Sequence, residues 1–393
     1  ADWIMGMSLS RAESIKYHTG INVGRVQSPT LYFIVKRYLD VQNFKITDYY
    51  GMEAELEEGL NVSWSKDEKN IFPKTVKDTE SRVLSKDAVS KKCEEISLER
   101  RGRITDIKVQ RKKTNPPQLY DITELQRDAN RIYGYSAALT LACAQALYET
   151  HKVLSYPRTD SRYLTSDIKR YIPDLIKSLG SISERYLYET DSLTGNGLNI
   201  SQRIIDDSRV TDHHAIIPTE EIKDFNTDLL IPTEKEKKDG VTQEALINIL
   251  DLVLCRMITA LSQPNIYEQT DIEVIASDMT FKAHGIQSVE YGWRAVQERL
   301  LRNKTDEAPD TTANDMKSFP KLTINQEVHI KSCTVLSKKT SPPKLHTEAT
   351  LLTAMENAGA AIEGGAILKG KGIGTQATRA EIIKKLFDSG YCE

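Results

Sequence analysis

The sequence predicts an α+β protein of more than one domain, and two observations lead to that class. The chain has 393 residues, more than one ordinary hydrophobic core accommodates, so roughly two to four domains are expected. Its apolar spacing changes along the chain, giving segments that are helical, β, helical, β and helical in turn. This order indicates a β domain that the chain enters twice, with a helical domain inserted between its two parts. Equally, the first and last helical segments could form one domain.

The composition is that of a soluble globular protein, with 39% hydrophobic and 28% charged residues. A net charge of −3 does not by itself indicate a nucleic-acid partner, although a local basic groove is compatible with it. The 5 cysteines form no C-x-x-C pair, which argues against a zinc ribbon or a disulfide framework and favours a reducing cytosol. No apolar run approaches the ~20 residues of a membrane helix, and no signal peptide is recognisable.

The first elements follow from the spacing of apolar residues. Residues 1–40 predict a helix, a turn and a second helix. From Tyr49 the segments "YYGMEAELEEGLNVSWS" and "RITDIKVQRKKT" alternate as strands do, with the short helix "KDAVSKKCEEISLERR" between them. The Pro-Pro pair in "TNPPQL" predicts a stiff extended linker before the next helices.

A pair of helices is expected after this linker. Asp121 followed by Glu124 is typical of a helix start, and that helix should end near Tyr133 because Gly134 breaks it. Ser136 can cap the second helix. With the strand-like "KVLSYPRTD" behind them, the two helices suggest a helix-turn-helix with a wing. Two amphipathic helices of any α-rich domain remain the alternative.

The remaining chain repeats the alternation. Residues 165–262 are expected to be mostly helical, and residues 267–335 to return to strands. The charged, apolar-poor stretch Arg302–Met316 predicts a flexible loop. The Pro-Pro pair in Thr340–Leu345 predicts another break, and the chain after it is predicted to be helical again.

The segment "SYPRTDSRYL", residues 155–164, holds the strongest candidate for chemistry. A tyrosine hydroxyl has a pKa near 10, so Tyr156 would attack only if a cation or a base assisted it. In an extended segment Arg158 projects to the same side as Tyr156, and its guanidinium suits a phosphate. A structural tyrosine beside a surface arginine is the competing interpretation.

Two further segments could serve the same site. In "TDHHAIIPT" the adjacent His213 and His214 would point to opposite faces of a strand, so one of them could bind a phosphate or transfer a proton. The segment "GRVQSPTL" offers Arg25, Gln27 and Ser28 just before a helix. A satisfied histidine in a polar turn is the alternative for the first segment, and the second segment carries only a weak signal on its own.

The glycine-rich "KGKGIGTQATRAEIIKKL" predicts a phosphate cradle. Thr378 with Glu381 indicates a capping box, and helix N-terminal amides with Lys369, Lys371 and Arg379 favour an anion. Gly-Lys-Ser/Thr is missing, so this is not a Walker A loop. A flexible surface loop before a capped helix remains the alternative.

These motifs together resemble those of the type IA DNA topoisomerases, and most closely the bacterial topoisomerase III group. The matching segments occur in the family's order over nearly the whole chain. They include "ADWIMGMSLSRA", "GRVQSPTL", "NPPQLYDITELQRDANRIYGYSA", "LYETHKVLSYPRTDSRYL", "DHHAIIPT", "PPKLHTEATLLTAMENAG" and "GIGTQATRAEIIKKL". Of these, "YPRTDSRYL" is highly specific, whereas the glycine loop alone is not.

The resemblance implies roles for individual residues. Tyr156 would be the nucleophile that forms a 5′-phosphotyrosine link, Arg158 would hold the scissile phosphate, and His213 would support its positioning. The positions expected to contact DNA are Arg11, Arg25, Gln27, Ser28, Asp160, Ser161, Arg162, Lys371, Thr375, Thr378 and Arg379. No metal ligand is expected in this chain.

The resemblance also implies a toroidal architecture of three parts. Residues 1–40 and 341–393 would form a helical base, residues 41–115 and 263–340 a β-rich arch, and residues 116–262 a gate domain with the helix-turn-helix. The partner would be single-stranded DNA, with duplex DNA inside the torus as a further one, and the protein would be a cytoplasmic, nucleoid-associated monomer.

The family begins with a TOPRIM domain that supplies a glutamate and an acidic Mg²⁺ cluster, and this sequence shows no replacement for it. The expectation is therefore a fragment that binds no Mg²⁺ itself and is incomplete as an enzyme. A single-stranded-DNA-binding scaffold without chemistry is the first alternative. A recombinase or relaxase and an interaction protein without chemistry are weaker, because they leave the order of the motifs unexplained.

Overall fold

The computed structural model describes residues 2–64, 71–223, 225–301, 319–360 and 372–392. The helices are α1 (Asp2–Tyr17), α2 (Gln27–Gln42), α3 (Lys86–Glu99), α4 (Ile122–Tyr133), α5 (Ala137–Glu149), α6 (Ile172–Ile182), α7 (Glu184–Asn196), α8 (Glu234–Lys238), α9 (Gln243–Ala260), α10 (Trp293–Leu301), α11 (Glu348–Glu356) and α12 (Gln376–Asp388). The strands are β1 (Asp48–Leu56), β2 (Asn61–Trp64), β3 (Arg101–Thr114), β4 (Asn265–Ala276), β5 (Met279–Glu290) and β6 (Glu327–Lys339). None of the described helices is long and apolar enough to cross a membrane.

The six strands close into an antiparallel barrel in the order β1-β2-β5-β4-β3-β6. Alternate residues of β1 (Met52, Ala54 and Leu56) are buried, as a strand with one face toward a core requires. Helix α3 adds its buried face to the same core, which brings Cys93 Sγ within 2.8 Å of Cys333 Sγ on β6. The two β segments of the sequence therefore form one sheet.

The chain leaves the barrel at Thr114 and returns at Asn265, and these two residues are paired across β3 and β4. The intervening helices α4, α5, α6, α7 and α9 build a second hydrophobic core, which also takes in buried residues of α10, α11 and α12. Leu352 and Met355 of α11 and Ile383 of α12 are nearly inaccessible within it. A mixed, α+β architecture with two cores results.

The predicted start of the helix pair is confirmed. The Asp121 carboxylate accepts the amide of Glu124 at 2.7 Å, and Ser136 Oγ accepts the amide of Leu139 at 3.1 Å, so each satisfies an otherwise unpaired donor. Between the helices Gly134 adopts φ +69°, a left-handed conformation that glycine takes without a Cβ clash.

Three expectations from the sequence need correction. The segment "KVLSYPRTD" is not a regular strand, because only Val153–Ser155 pairs with the chain at 217–219 and Pro157 has no amide to continue the ladder. Thr375, not Thr378, caps α12, and Thr378 Oγ1 accepts the Thr375 amide at 2.9 Å.

Residues 165–262, expected to be mostly helical, are so only in part, because residues 197–223 and 225–232 within them contain short 3₁₀ turns and no α-helix. The loop expected at Arg302–Met316 lies outside the described residues.

Candidate active site

Tyr156 lies where a short extended pairing ends. The Ser155 amide donates to the Ile217 carbonyl at 2.9 Å, and the Thr219 amide donates to the Val153 carbonyl at 3.0 Å. Ser155 Oγ also accepts the Ile217 amide at 3.0 Å. The backbone before Tyr156 is thus fixed, while the side chain of Tyr156 is half-buried.

Two rings hold the Tyr156 side chain in place. The His213 ring lies against it with a centroid separation of 4.2 Å, and the Tyr148 ring of α5 meets it edge-on at 5.4 Å. His213 is exposed, so its imidazole is available to a substrate next to the phenol. The two aromatic contacts restrict the rotation of the tyrosine ring.

The two adjacent histidines have different partners, and only the ring of His213 lies against Tyr156. Thr159 Oγ1 donates to the His213 carbonyl at 2.8 Å, which ties the histidine segment to the segment that follows Tyr156. His214 is half-buried, and its Nδ1 donates to the Ala215 carbonyl at 2.7 Å. His213 therefore faces Tyr156, whereas His214 serves the local backbone.

Arg158 is oriented by α5. Its Nη2 donates to Gln145 Oε1 at 3.1 Å, and Gln145 Nε2 in turn donates to Glu149 Oε1 at 2.8 Å. An amide acceptor positions the guanidinium without neutralising its charge, so Arg158 keeps its full charge for an anionic ligand.

Sequence reasoning missed Gln145 and Tyr148. Their signal is a polar and aromatic stripe at i and i+3 on a helix, α5, whose other faces are apolar. Gln145 accepts a hydrogen bond from Arg158, and the Tyr148 ring contacts the Tyr156 ring. One helix face thus orients both of the groups expected to act on a phosphate.

The residues that follow Arg158 have different environments. Asp160 is exposed. Ser161 is 3% exposed, and its hydroxyl donates to the Arg209 carbonyl at 3.0 Å. Arg162 donates to Asp121 at 2.6 Å and to Glu124 at 3.1 Å. Ser161 and Arg162 are therefore both bonded within the chain.

The Asp121–Arg162 pair is embedded at the start of α4. Burial raises the pKa of the Asp121 carboxyl, with Arg162 acting in the opposite direction. Burial lowers the pKa of Arg162, but the neighbouring carboxylates of Asp121, Glu124 and Glu356 together raise it above its ordinary value. We assign an ion pair because the carboxylate also accepts the Glu124 amide, which favours its charged form.

The second group of predicted contacts lies around the turn before α2. Ser10 and Ser14 of α1 each bond the backbone of this turn, and Ser28 Oγ accepts the Gly24 amide at 3.1 Å. Gln27 is 6% exposed, whereas Arg11 and Arg25 are exposed. The two arginines are the members of this group that face solvent.

The glycine loop and the turn before α2 meet. A Cβ on Gly374 would lie 3.1 Å from Val26 Cγ1, so the loop passes directly beside the turn. Thr375 and Thr378 are exposed at the start of α12, but Arg379 is 6% exposed and donates to Glu356 at 3.1 Å. Lys371 lies outside the described residues. Helix α12 also packs on α5, which connects these segments with the Tyr156 site.

The chain shows no built site for a divalent cation in the described ranges. Residues 2–64, 71–223, 225–301, 319–360 and 372–392 contain no group of three or more His, Cys, Asp or Glu side chains that could hold a metal. The residues around Tyr156 are a histidine, an arginine and tyrosines, a set that suits an anion better than Mg²⁺.

Comparison with known proteins gives consistent results. A family model described as DNA topoisomerase matches residues 1–393. A relative named DNA topoisomerase 3 from Bacillus licheniformis is 35% identical over 399 residues, which cover 100% of this chain and 50% of the relative. One of the same name from Bacillus subtilis is 34% identical with the same coverage. The chain spans about half the length of the curated relatives it matches.

A solved structure shows the same fold. Full-length topoisomerase I from Thermotoga maritima superposes with a TM-score of 0.65 at 23% identity, covering 99% of this chain and 55% of that one. At this level of identity the comparison bears on the fold. It confirms the α+β, multidomain class expected from the sequence.

Proposed function

This chain belongs to the DNA topoisomerase family, and we propose that it is the part of a type IA topoisomerase that holds the nucleophile and much of the strand-binding groove. The observation that supports this most strongly is the convergence on Tyr156. His213 packs on its ring at 4.2 Å, and Arg158 is oriented in the same segment by Gln145. Motifs separated by more than fifty residues thus meet where a phosphoryl transfer would need them.

The proposed reaction is a transesterification. Tyr156 Oη attacks a phosphodiester phosphorus, the Oη–P bond forms and the P–O3′ bond breaks. The phenol gives up its proton, the leaving 3′ oxygen takes one, and the DNA 5′ end remains on Tyr156. Arg158 stabilises the charge on the phosphoryl oxygens, and His213 hydrogen-bonds one of them.

Resealing would reverse this attack and regenerate the free tyrosine. The phosphotyrosine link conserves the energy of the broken diester, so strand passage between the two steps needs no nucleotide. The absence of a Gly-Lys-Ser/Thr motif from the sequence agrees with such a reaction.

Mg²⁺ would be held outside this chain. We propose that the TOPRIM domain typical of the family supplies the acidic cluster and that this chain supplies tyrosine, arginine and histidine. The exposed apolar residues of α1 and α2 support association with further protein, since Trp3 is 75% and Tyr32 is 59% exposed. When bound, the cation would assist charge stabilisation at the phosphate.

The proposed DNA contacts divide by accessibility. Arg11, Arg25, Asp160, Thr375 and Thr378 are exposed, and we propose that they line the path of the strand. The remaining predicted positions (Gln27, Ser28, Ser161, Arg162 and Arg379) are buried or bonded within the chain and would shape the groove wall. Lys371 stays a predicted contact.

The proposed architecture is a torus with a moving part. Residues 1–40 and 341–393 form the base, residues 41–115 and 263–340 the arch, and residues 116–262 the gate that lifts with Tyr156. Single-stranded DNA would lie in the groove, and duplex DNA would occupy the hole. The protein would act as a monomer, in the cytoplasm and on the nucleoid.

The proposal is tested with single-stranded oligonucleotides labelled at the 5′ or the 3′ end. The chain is incubated with Mg²⁺, with and without a TOPRIM domain of the family added in trans, and resolved on a denaturing gel. A covalent adduct that retains the 3′ label and appears only with the added domain is the expected result. DNA binding without any covalent adduct under either condition would contradict the proposed enzymatic function and favour a DNA-binding scaffold.

A further inference from the structure

An ion cluster joins three helices that are far apart in sequence. Glu356, the last residue of α11, accepts from Arg127 of α4 and, at 3.1 Å, from Arg379 of α12. Arg127 also pairs with Glu124, which together with Asp121 binds Arg162. Three guanidinium groups thus face three carboxylates.

This cluster is shielded from water. The side chains of Arg127 and Glu356 are 18% and 23% exposed, and that of Arg379 is 7% exposed. Burial lowers the pKa of Arg379, with Glu356 acting in the opposite direction. Removing one partner of such a pair costs far more than breaking a surface salt bridge, because the other charge stays buried.

Two further contacts cross the same boundary. Glu348 of α11 accepts the Ala137 amide, at the start of α5, at 2.7 Å. Asn130 of α4 accepts the Ala349 amide, at the start of α11, at 3.1 Å. Both amides belong to first turns of helices, where no backbone acceptor exists. Each therefore depends on a side chain from the opposite side.

We propose that Glu356 is a positioning residue that closes the α4–α11 boundary and so holds the segment with Tyr156 against α11 and α12. It acts through Arg127, Glu124 and Arg162, and Arg162 lies on the same segment as Tyr156. The inference rests on the proposed function, in which residues 116–262 separate from the base. Loss of the Glu356 charge should raise the fraction of molecules in which this boundary is open.

Amide exchange at Ala137 and Ala349, read at single-residue resolution in the complete 393-residue chain, measures this opening. Separation of the helices frees both amides even when the helices themselves stay folded. In Glu356→Gln we expect exchange at both to accelerate by about tenfold or more, with interior amides of α4 and α11 unchanged. Glu381→Gln on exposed α12 surface is the matched control and should leave both amides as they are.

Unchanged protection of the two amides in Glu356→Gln would overturn the proposal. If Glu356→Gln instead loses protection throughout α11, the proposal is tested with a second variant, Arg127→Gln. This variant removes the α4 partner of Glu356 and keeps the Arg379–Glu356 pair. Selective loss at Ala137 and Ala349 then supports the proposal, and general unfolding again overturns it. No DNA is involved, so a chain that opens as expected but never forms an adduct would refute the proposed function alone.

Discussion

At the scale of single residues, the Tyr156 site depends on side chains that fix one another. Gln145 orients Arg158 through a neutral amide, and Tyr148 and His213 limit the ring of Tyr156. Elementary chemistry selected the tyrosine, arginine and histidine from the sequence. It did not select Gln145, because an amide on a helix has many ordinary uses and only the folded chain shows which group it contacts.

Arg158→Ala should separate catalysis from binding. In the proposed reaction the guanidinium stabilises charge that develops during transfer, so adduct formation should slow by about 10²–10³-fold, whereas affinity for single-stranded DNA should change little. The two quantities are measured by adduct yield against time and by fluorescence anisotropy. Arg158→Lys is the control that keeps charge and loses the planar fork. A loss explained entirely by weaker binding would contradict this role.

A pH effect is expected at His151. Burial lowers the pKa of His151 below its ordinary 6.5, with Glu236 acting in the opposite direction. The unfolded chain therefore binds this proton more readily than the folded chain, and stability should fall as pH drops below 6.5. His151→Gln should show a shallower loss in urea titrations over the same range. Parallel curves for the two proteins would rule out this contribution.

At the scale of elements, local rules work where a helix start has a short-range cause. Asp121 and Ser136 cap α4 and α5 as the sequence indicates. The sequence predicts that Thr378 caps α12, whereas Thr375 does so in the structure. The two threonines are equivalent candidates by residue type and lie three positions apart. The segment "KVLSYPRTD" is predicted to be strand-like, but its extended backbone pairs with another segment over only three residues.

Two helical glycines should respond oppositely to the same substitution. A Cβ on Gly180 of α6 would lie 2.6 Å from Thr190 Oγ1 of α7, whereas one on Gly195 meets nothing within 4 Å. Gly180→Ala should therefore destabilise the chain by about 1–3 kcal/mol, and Gly195→Ala should stabilise it by about 0.5–1 kcal/mol. Chemical denaturation measures both. If both substitutions changed the free energy of unfolding in the same direction, the close packing of α6 on α7 would be contradicted.

At the scale of the whole molecule, the order of helical and β segments could be predicted, but the way they join could not. Closure of the barrel depends on β2 meeting β5 through the Ser63–Lys282 pair, and nothing in either segment specifies that partner. The same is true of Arg127 and Glu356, which are separated by 229 positions. Periodicity encodes which face is buried, whereas the partner of that face is set by competition among all elements.

The proposed reaction joins Tyr156 covalently to DNA, and peptide mapping can detect this bond. The chain, supplemented with the TOPRIM domain and Mg²⁺, is trapped on a single-stranded oligonucleotide, digested with nuclease and protease, and analysed by mass spectrometry. We predict a nucleotide on the peptide containing Tyr156, and none in Tyr156→Phe, which loses only a hydroxyl. A nucleotide on another residue, or an adduct that persists in Tyr156→Phe, would show that Tyr156 is not the nucleophile.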